Sequence, residues 1–303
     1  MRTWMVLAFG GWIACACGGA DTADVEEVEV PEAAAEGPSG DVHEVTVPLE
    51  GLPEGANLTF PTLDPRTGDL WFSVFTGSFD GQTIWVSRHS DAGFTPPEVA
   101  PFSGSWGDRA PRFSPDGEYV LITSNRPTSP GGDPGDMNLW RVERTPDGWS
   151  APTLLPGPAN SASADIHPSV ANNATWFASA RDGGAGRSDL YRVDAEGRLE
   201  HPGAPLNDAL SQPDLWISPD ESWMILAITD HPDGLGGDDL YVSRRTGAEW
   251  SPPANLGPEI NSAEYEYGPS VSPDGQWLYF TSHRDGPGRV YRVALDLIPG
   301  AGP

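Results

Sequence analysis

Four positions in this chain could gather charge at one place. Asp108, Asp165, Gln212 and Glu266 each stand three residues ahead of a recurring stretch, at PRFSPDGEYV, PSVANNATWF, LWISPDESWM and PSVSPDGQWL. If the first strand of each copy lines a common channel, these side chains approach one mouth of it and concentrate negative potential there. That would make a pocket for a cation or a polar ligand, with Arg109 and Tyr267 beside it. A feature written into copy after copy can also serve the copy itself, by capping its own strand or bonding the neighbouring unit, and this is the reading to prefer for a repeat-wide group.

Other chemistry is sparse. The six histidines, His43, His89, His167, His201, His231 and His283, show no metal-ligand spacing, and no G-x-S-x-G elbow offers a serine nucleophile. His167 and His283 fall inside the repeated stretches, where turns or strand edges account for them. The Asp-rich segments GGDPGDMN (131–138) and DGLGGDD (233–239) carry hard oxygen ligands suited to Ca²⁺, yet neither follows an EF-hand loop, and turn capping explains them more simply. No catalytic residue, metal or cofactor is assigned on this basis. Lys plus Arg is 17 against 44 Asp plus Glu, a net charge of -27, which repels nucleic acid and anionic headgroups.

The recurring stretch sets the architecture. Five copies begin at 61, 111, 168, 215 and 269. Each is followed by a second short strand seed, TIWVSR, NLWRVE, DLYRVD, DLYVSR or RVYRVA. Asn160, Asn207 and Asn261 each precede their copy by eight residues, a register marker independent of the hydrophobic pattern. The 36 Gly and 32 Pro disfavour long helices, and aromatic and β-branched runs closed by Pro-Asp-Gly favour short strands. The intervals of 50, 57, 47 and 54 residues match propeller blades of several strands, roughly 40 to 50 residues each. The fold expected is therefore all-β, a five-bladed β-propeller. VHEVTVPLEG (42–51) alternates like a strand and has no unit of its own, while the last unit lacks an outer strand. The N-terminal strand is expected to complete the last blade and hide two sheet edges. A six-bladed ring is the rival, and the residue count leaves little room for it.

The P-S-x-S-P-D-G, Y-F-T-S-x-R, D-L-Y and W-S-x-P elements resemble the WD-repeat-like β-propeller repeat of bacterial envelope proteins, the repeat class found in TolB, over roughly residues 44–295. Asn172-Asn173 in place of Pro-Asp-Gly and Leu215 in place of the first Pro depart from the pattern. The resemblance implies binding of a protein, peptide or glycan in the envelope. Residues 1–16 read as a signal segment resembling that of lipoproteins, with lipid attachment at Cys17 and Cys15 as the rival. Residues 17–41, acidic and without aromatics, read as a solvated tether, residues 42–298 as the propeller and 299–303 as a tail. The function expected is a non-catalytic, lipid-anchored monomer of the outer membrane, facing the periplasm or the cell surface. The alternative is a propeller enzyme of lactonase, lyase or hydrolase type with its site at the channel mouth. An enzyme should break the repeat with nonequivalent polar residues converging on one spot.

Overall fold

The structure, a computed structural model, describes residues 41–77 and 79–298. The expected signal segment, Cys15, Cys17, the tether up to residue 40 and the tail at 299–303 lie outside the described residues. Each repeat forms one antiparallel sheet. The first three strands are Asn57–Leu63, Leu70–Phe75 and Thr83–Ser87 in blade one, Asp108–Phe113, Tyr119–Ser124 and Asn138–Thr145 in blade two, and Asp165–Val170, Ala174–Ser179 and Asp189–Asp194 in blade three. Blades four and five follow with Ser211–Ile217, Trp223–Thr229 and Asp238–Thr246, then Glu266–Val271, Trp277–Ser282 and Arg289–Ala294. Short outer strands finish each sheet, and in blade five the outer strand is His43–Glu44 from the N-terminus, paired with Arg292 and Tyr291.

The innermost strands neighbour one another in chain order, and the fifth returns to the first, so the protein is a closed five-bladed β-propeller. Both faces of each blade are buried. This is why a second strand such as WMILAI reads as an unbroken apolar run. The core is five clusters, one per blade interface: Trp71 and Ile84 against Val120 and Trp140 between blades one and two, Leu139 against Phe177, Trp176 against Met224 and Tyr241, Trp223 and Ile225 against Leu278 and Phe280, and Val45, Val47 and Val290 against Leu58 and Phe72 at the closure.

Each repeat marker has a mechanical role. In the Ser-Pro-Asp-Gly turn, Ser114 Oγ donates to Asp116 Oδ1 at 2.6 Å and Gly117 takes φ 70°, the left-handed conformation that glycine tolerates. Asn160, Asn207 and Asn261 accept from the amides of Leu139, Leu190 and Leu240 at 2.7, 2.8 and 2.9 Å. Each returns its own amide N–H to the same residue's carbonyl at 2.9 to 3.0 Å. One side chain thus supplies the ladder bonds that the strand edge lacks.

The innermost strands carry a bulge at one level of the ring, and Phe60, Ala110 and His167 sit there with φ of 50° to 51°. Their amides cannot join the ladder. They donate instead to a hydroxyl of the preceding blade: Phe60 to Thr281, Ala110 to Ser73 and His167 to Thr123, all at 2.9 Å. Ala178 and Ala227 occupy the hydroxyl's place in blades three and four.

Candidate functional site

Asp108, Asp165, Gln212 and Glu266 lie at the starts of four innermost strands and are fully buried. Their side-chain hydrogen bonds are not shared across the channel; each is engaged by its own blade. Asp108 accepts from Arg126 at 2.6 Å and Ser103 at 2.9 Å. Asp165 accepts from Arg181 and Ser179, both at 2.6 Å, and from Ser161 Oγ at 2.9 Å. Glu266 accepts from Ser282 at 2.5 Å and from Ser262, with Arg284 at 3.7 Å. Gln212 donates to Asp208 at 2.9 Å. The arginines lie over Trp140, Tyr191 and Tyr291 of the third strands, so each carboxylate is neutralised and the arginine stems pack the blade. The Ser-x-Arg of the repeat is the other half of this arrangement. Of the two Asp-rich segments, the one at 233–239 is likewise spent on capping, with Asp239 accepting from the Leu235 amide at 2.6 Å and from Gly236.

Repeat-breaking residues do converge, two residues further along the innermost strands. At the bulge level the five blades contribute Phe60, Ala110, His167, Asp214 and Gly268; two residues further along come Thr62, Arg112, Ser169, Trp216 and Ser270. Asp214 Oδ2 accepts the Gly268 amide at 3.1 Å, replacing the hydroxyl that Ala227 cannot supply, and Oδ1 is buried with no partner. Burial, reinforced by the charge of Asp238, pushes the Asp214 carboxyl up to about 7, against the Gly268 N–H and Arg112. Arg112 reaches across the channel to the carbonyls of Pro61 at 2.8 Å and Pro269 at 2.7 Å, and burial pulls its guanidinium down to about 10.

His167 Nδ1 meets the Pro213 carbonyl at 2.8 Å, which fixes the proton on Nδ1 and leaves Nε2 buried and unpartnered. Burial, and then the charge of Arg109, hold this imidazole well below its usual range, so it stays neutral. Its ring lies 4.4 Å from that of Phe60, which lies 5.3 Å from Tyr267. The channel is thus plugged by side chains at this level. Tyr267 OH meets His283 Nε2 at 3.1 Å, and burial followed by Asp214 raises its phenol.

Two mouths open from this plug. Where the innermost strands begin, Asp238 is half-buried and accepts from Thr229 Oγ1 at 2.6 Å. Burial pushes its carboxyl upward, as do the charges of Asp230 and Asp239, against the Thr229 bond. Gly237 beside it has no Cβ because the Tyr265 ring would stand 2.2 Å away. Tyr265, Phe79 and Trp106 are exposed on this side, 49%, 38% and 36%, and Arg109 lies over the Phe79 ring. At the opposite mouth, ringed by the Pro-Asp-Gly turns, a cavity of about 360 Å³ is floored by the Thr62, Arg112, Ser169, Trp216 and Ser270 level. Among the described residues no group of three or more His, Cys, Asp or Glu could hold a metal ion, and no helix is long and apolar enough to cross a membrane.

The ring and its plugged channel define a five-bladed β-propeller. No protein-family model and no curated protein sequence matches the chain. Among solved structures it is similar to a glycoside hydrolase (TM-score 0.56, 9% identity, 83% of this chain and 90% of that one). It is also similar to a protein solved as an RGII complex (0.54, 9%, 83% and 90%) and to a protein assigned as TolB from Agrobacterium tumefaciens (0.50, 19%, 79% and 77%). At these identities the likeness is one of fold. It corrects the expectation of a non-catalytic protein, because that expectation leaned on TolB-type repeats, and the same fold is shared with a glycoside hydrolase. The polar residues of the channel break the repeat instead of following it, so the preference for a scaffold that rested on repeat-bound polar residues falls away.

Proposed function

We propose that this protein is a propeller hydrolase acting on a glycan, with its site at the mouth where the innermost strands begin. The observation that carries the reading is that His167, Asp214 and Tyr267, each unlike its counterparts in other blades, meet in one stretch of channel with Asp214 titrating near pH 7. Hydrolysis of a glycosidic bond commonly uses two carboxyl groups, one carrying the proton given to the leaving oxygen and one acting as base or nucleophile. Asp214 suits the acid, because a carboxyl titrating near the working pH balances occupancy against driving force. Asp238, whose charge reaches Asp214, supplies the second group. Tyr265, Phe79 and Trp106 offer flat apolar faces on which sugar rings can lie. The fold shared with a glycoside hydrolase supports the same class.

The signal-like residues 1–16 and Cys17 support placing this enzyme on a lipid anchor in the cell envelope, as a monomer, where glycans are at hand. The activity test uses a panel of aryl glycosides and plant and bacterial oligosaccharides. Asp214→Asn keeps an acceptor for the Gly268 amide and removes the acid, so turnover of a cleaved substrate should fall roughly 10²- to 10⁴-fold with circular dichroism unchanged; Asp238→Asn should lose activity as well. Full activity in Asp214→Asn would remove the assignment.

A further inference from the structure

The cavity at the opposite mouth lies on the far side of the channel plug. Its floor is one level of the ring, and three of the five positions carry small hydroxyls, Thr62, Ser169 and Ser270. The other two break the pattern. Trp216 is half-buried, lies 4.7 Å from Trp223 at 54°, and presents ring surface to the cavity. Arg112 is 4% exposed, and its guanidinium is held by two backbone carbonyls.

Arg112 differs in one respect from five other arginines of the blades. Arg126, Arg144, Arg181 and Arg192 each meet a carboxylate at 2.6 Å, and Arg284 meets one at 3.7 Å. Among the described residues Arg112 has no carboxylate within 4 Å. A guanidinium carried into the interior without an ion partner costs free energy, and its fork geometry matches a carboxylate. The charge of Asp214 reaches Arg112 only from beyond ion-pair distance, and the site opens to solvent through a cavity lined by hydroxyls and a Trp face.

We propose that this cavity binds a sugar carboxylate, a hexuronate residue of a glycan, with the acid group on Arg112, the pyranose face on Trp216 and the ring hydroxyls on Thr62, Ser169 and Ser270. A free peptide carboxylate would use the same arginine but not the ring platform and the hydroxyl circle, so the sugar is favoured. The cavity of about 360 Å³ is at the low end of ligand pockets, roughly 300 to 1,000 Å³, which suits a terminal sugar. The site stands apart from the mouth assigned above to hydrolysis and binds its sugar whether or not that assignment holds.

Titration calorimetry on Asp214→Asn, which separates binding from turnover, tests this with glucuronate, galacturonate, glucose, glucuronate methyl ester, acetate and an N-acetylated dipeptide. One of the two uronates should bind at least tenfold more tightly than glucose and the ester. Arg112→Gln should abolish that difference, and Trp216→Leu should weaken the uronate at least fivefold while leaving its preference over the ester intact. Arg112 also pins two blades, so if Arg112→Gln fails to fold, the comparison of uronate with ester in the unchanged cavity decides alone. Equal binding of uronate and ester, or dipeptide or acetate binding as tightly as uronate, would overturn the proposal.

Discussion

A carboxyl that titrates at about 7 inside a propeller makes the whole fold sensitive to pH, and Asp214→Asn should remove that sensitivity. In the unfolded chain the group ionises near its ordinary value of 3.8; in the fold, burial holds its proton until about 7. Between these values the native state binds more protons than the unfolded state, so stability falls as pH rises through this window and is flat above it, as far as this group is concerned. At about 1.4 kcal/mol per tenfold, the cost approaches roughly 4 kcal/mol above pH 7, and roughly 2 to 3 kcal/mol of it develops between pH 5 and pH 8. The amide is neutral throughout and can still accept the Gly268 N–H, which sits 3.1 Å from Asp214 Oδ2. Its new N–H₂ group takes the buried place of the unpartnered Oδ1, and a donor left unsatisfied there offsets part of the gain by about 1 to 3 kcal/mol at every pH.

The informative quantity is therefore the pH dependence of the difference. Urea unfolding of parent and Asp214→Asn at pH 5 and pH 8 should show the variant gaining roughly 2 to 3 kcal/mol on the parent over that interval. In a domain of this size that is on the order of 5 to 10 °C in Tm. A difference that stays constant from pH 5 to pH 8 would show that Asp214 ionises normally in the fold, and the reasoning about its burial would be refuted.

Deleting residues 42–50 removes the outer strand of the last blade together with buried Val45 and Val47, and should lower the melting temperature far more than deleting 18–41; equal melting temperatures would sink the closure mechanism. Asp165→Ala strands Arg181 in the interior and should cost about 3 to 5 kcal/mol in denaturant unfolding, with Asp165→Asn costing less because Ser161 and Ser179 keep an acceptor. A more stable alanine variant would mean that the carboxylates repel one another after all. Mass spectrometry of the mature chain should find a diacylglyceryl-modified Cys17 at its N-terminus, and Cys17→Ser should release the domain to the soluble fraction; an unmodified chain beginning further downstream would contradict the anchor.

The blade count, the turn chemistry and the closing strand were legible in the sequence because they are redundant: five copies state the same pattern, and an irregular one such as Ala171-Asn172-Asn173 is outvoted. The offset of Asp108, Asp165 and Glu266 was legible too, but their role was not. Their arginine partners lie 16 to 18 residues on, and only the antiparallel pairing of the first two strands brings the two ends together. The Ser-x-Arg that closes three copies was the available signal. The channel residues were hidden by the same redundancy that reveals the fold. Agreement between copies marks a repeat, whereas Phe60, Ala110, His167, Asp214 and Gly268 occupy one column with nothing in common, and that column faces the channel only because a bulge turns it inward.

The same column separates architecture from function at Asp214. Its structural duty is to accept one amide from the next blade, and elsewhere in the ring Ser73, Thr123 and Thr281 perform that duty from the second strand. A hydroxyl at Ala227 would serve the Gly268 amide without burying an ionisable group. The chain instead carries an alanine there and a carboxyl in the channel, at roughly 4 kcal/mol of stability above neutral pH by the reckoning above. A repeat that already contains the less costly solution three times has no structural reason to depart from it. Local rules broken at such expense fall characteristically at functional sites. The departure comes at the level where His167 also departs, with its orphaned imidazole nitrogen, and next to the level of Arg112. Its electrostatic cost is what keeps a proton on Asp214 near pH 7, and a carboxyl that keeps its proton there is one that can give it away.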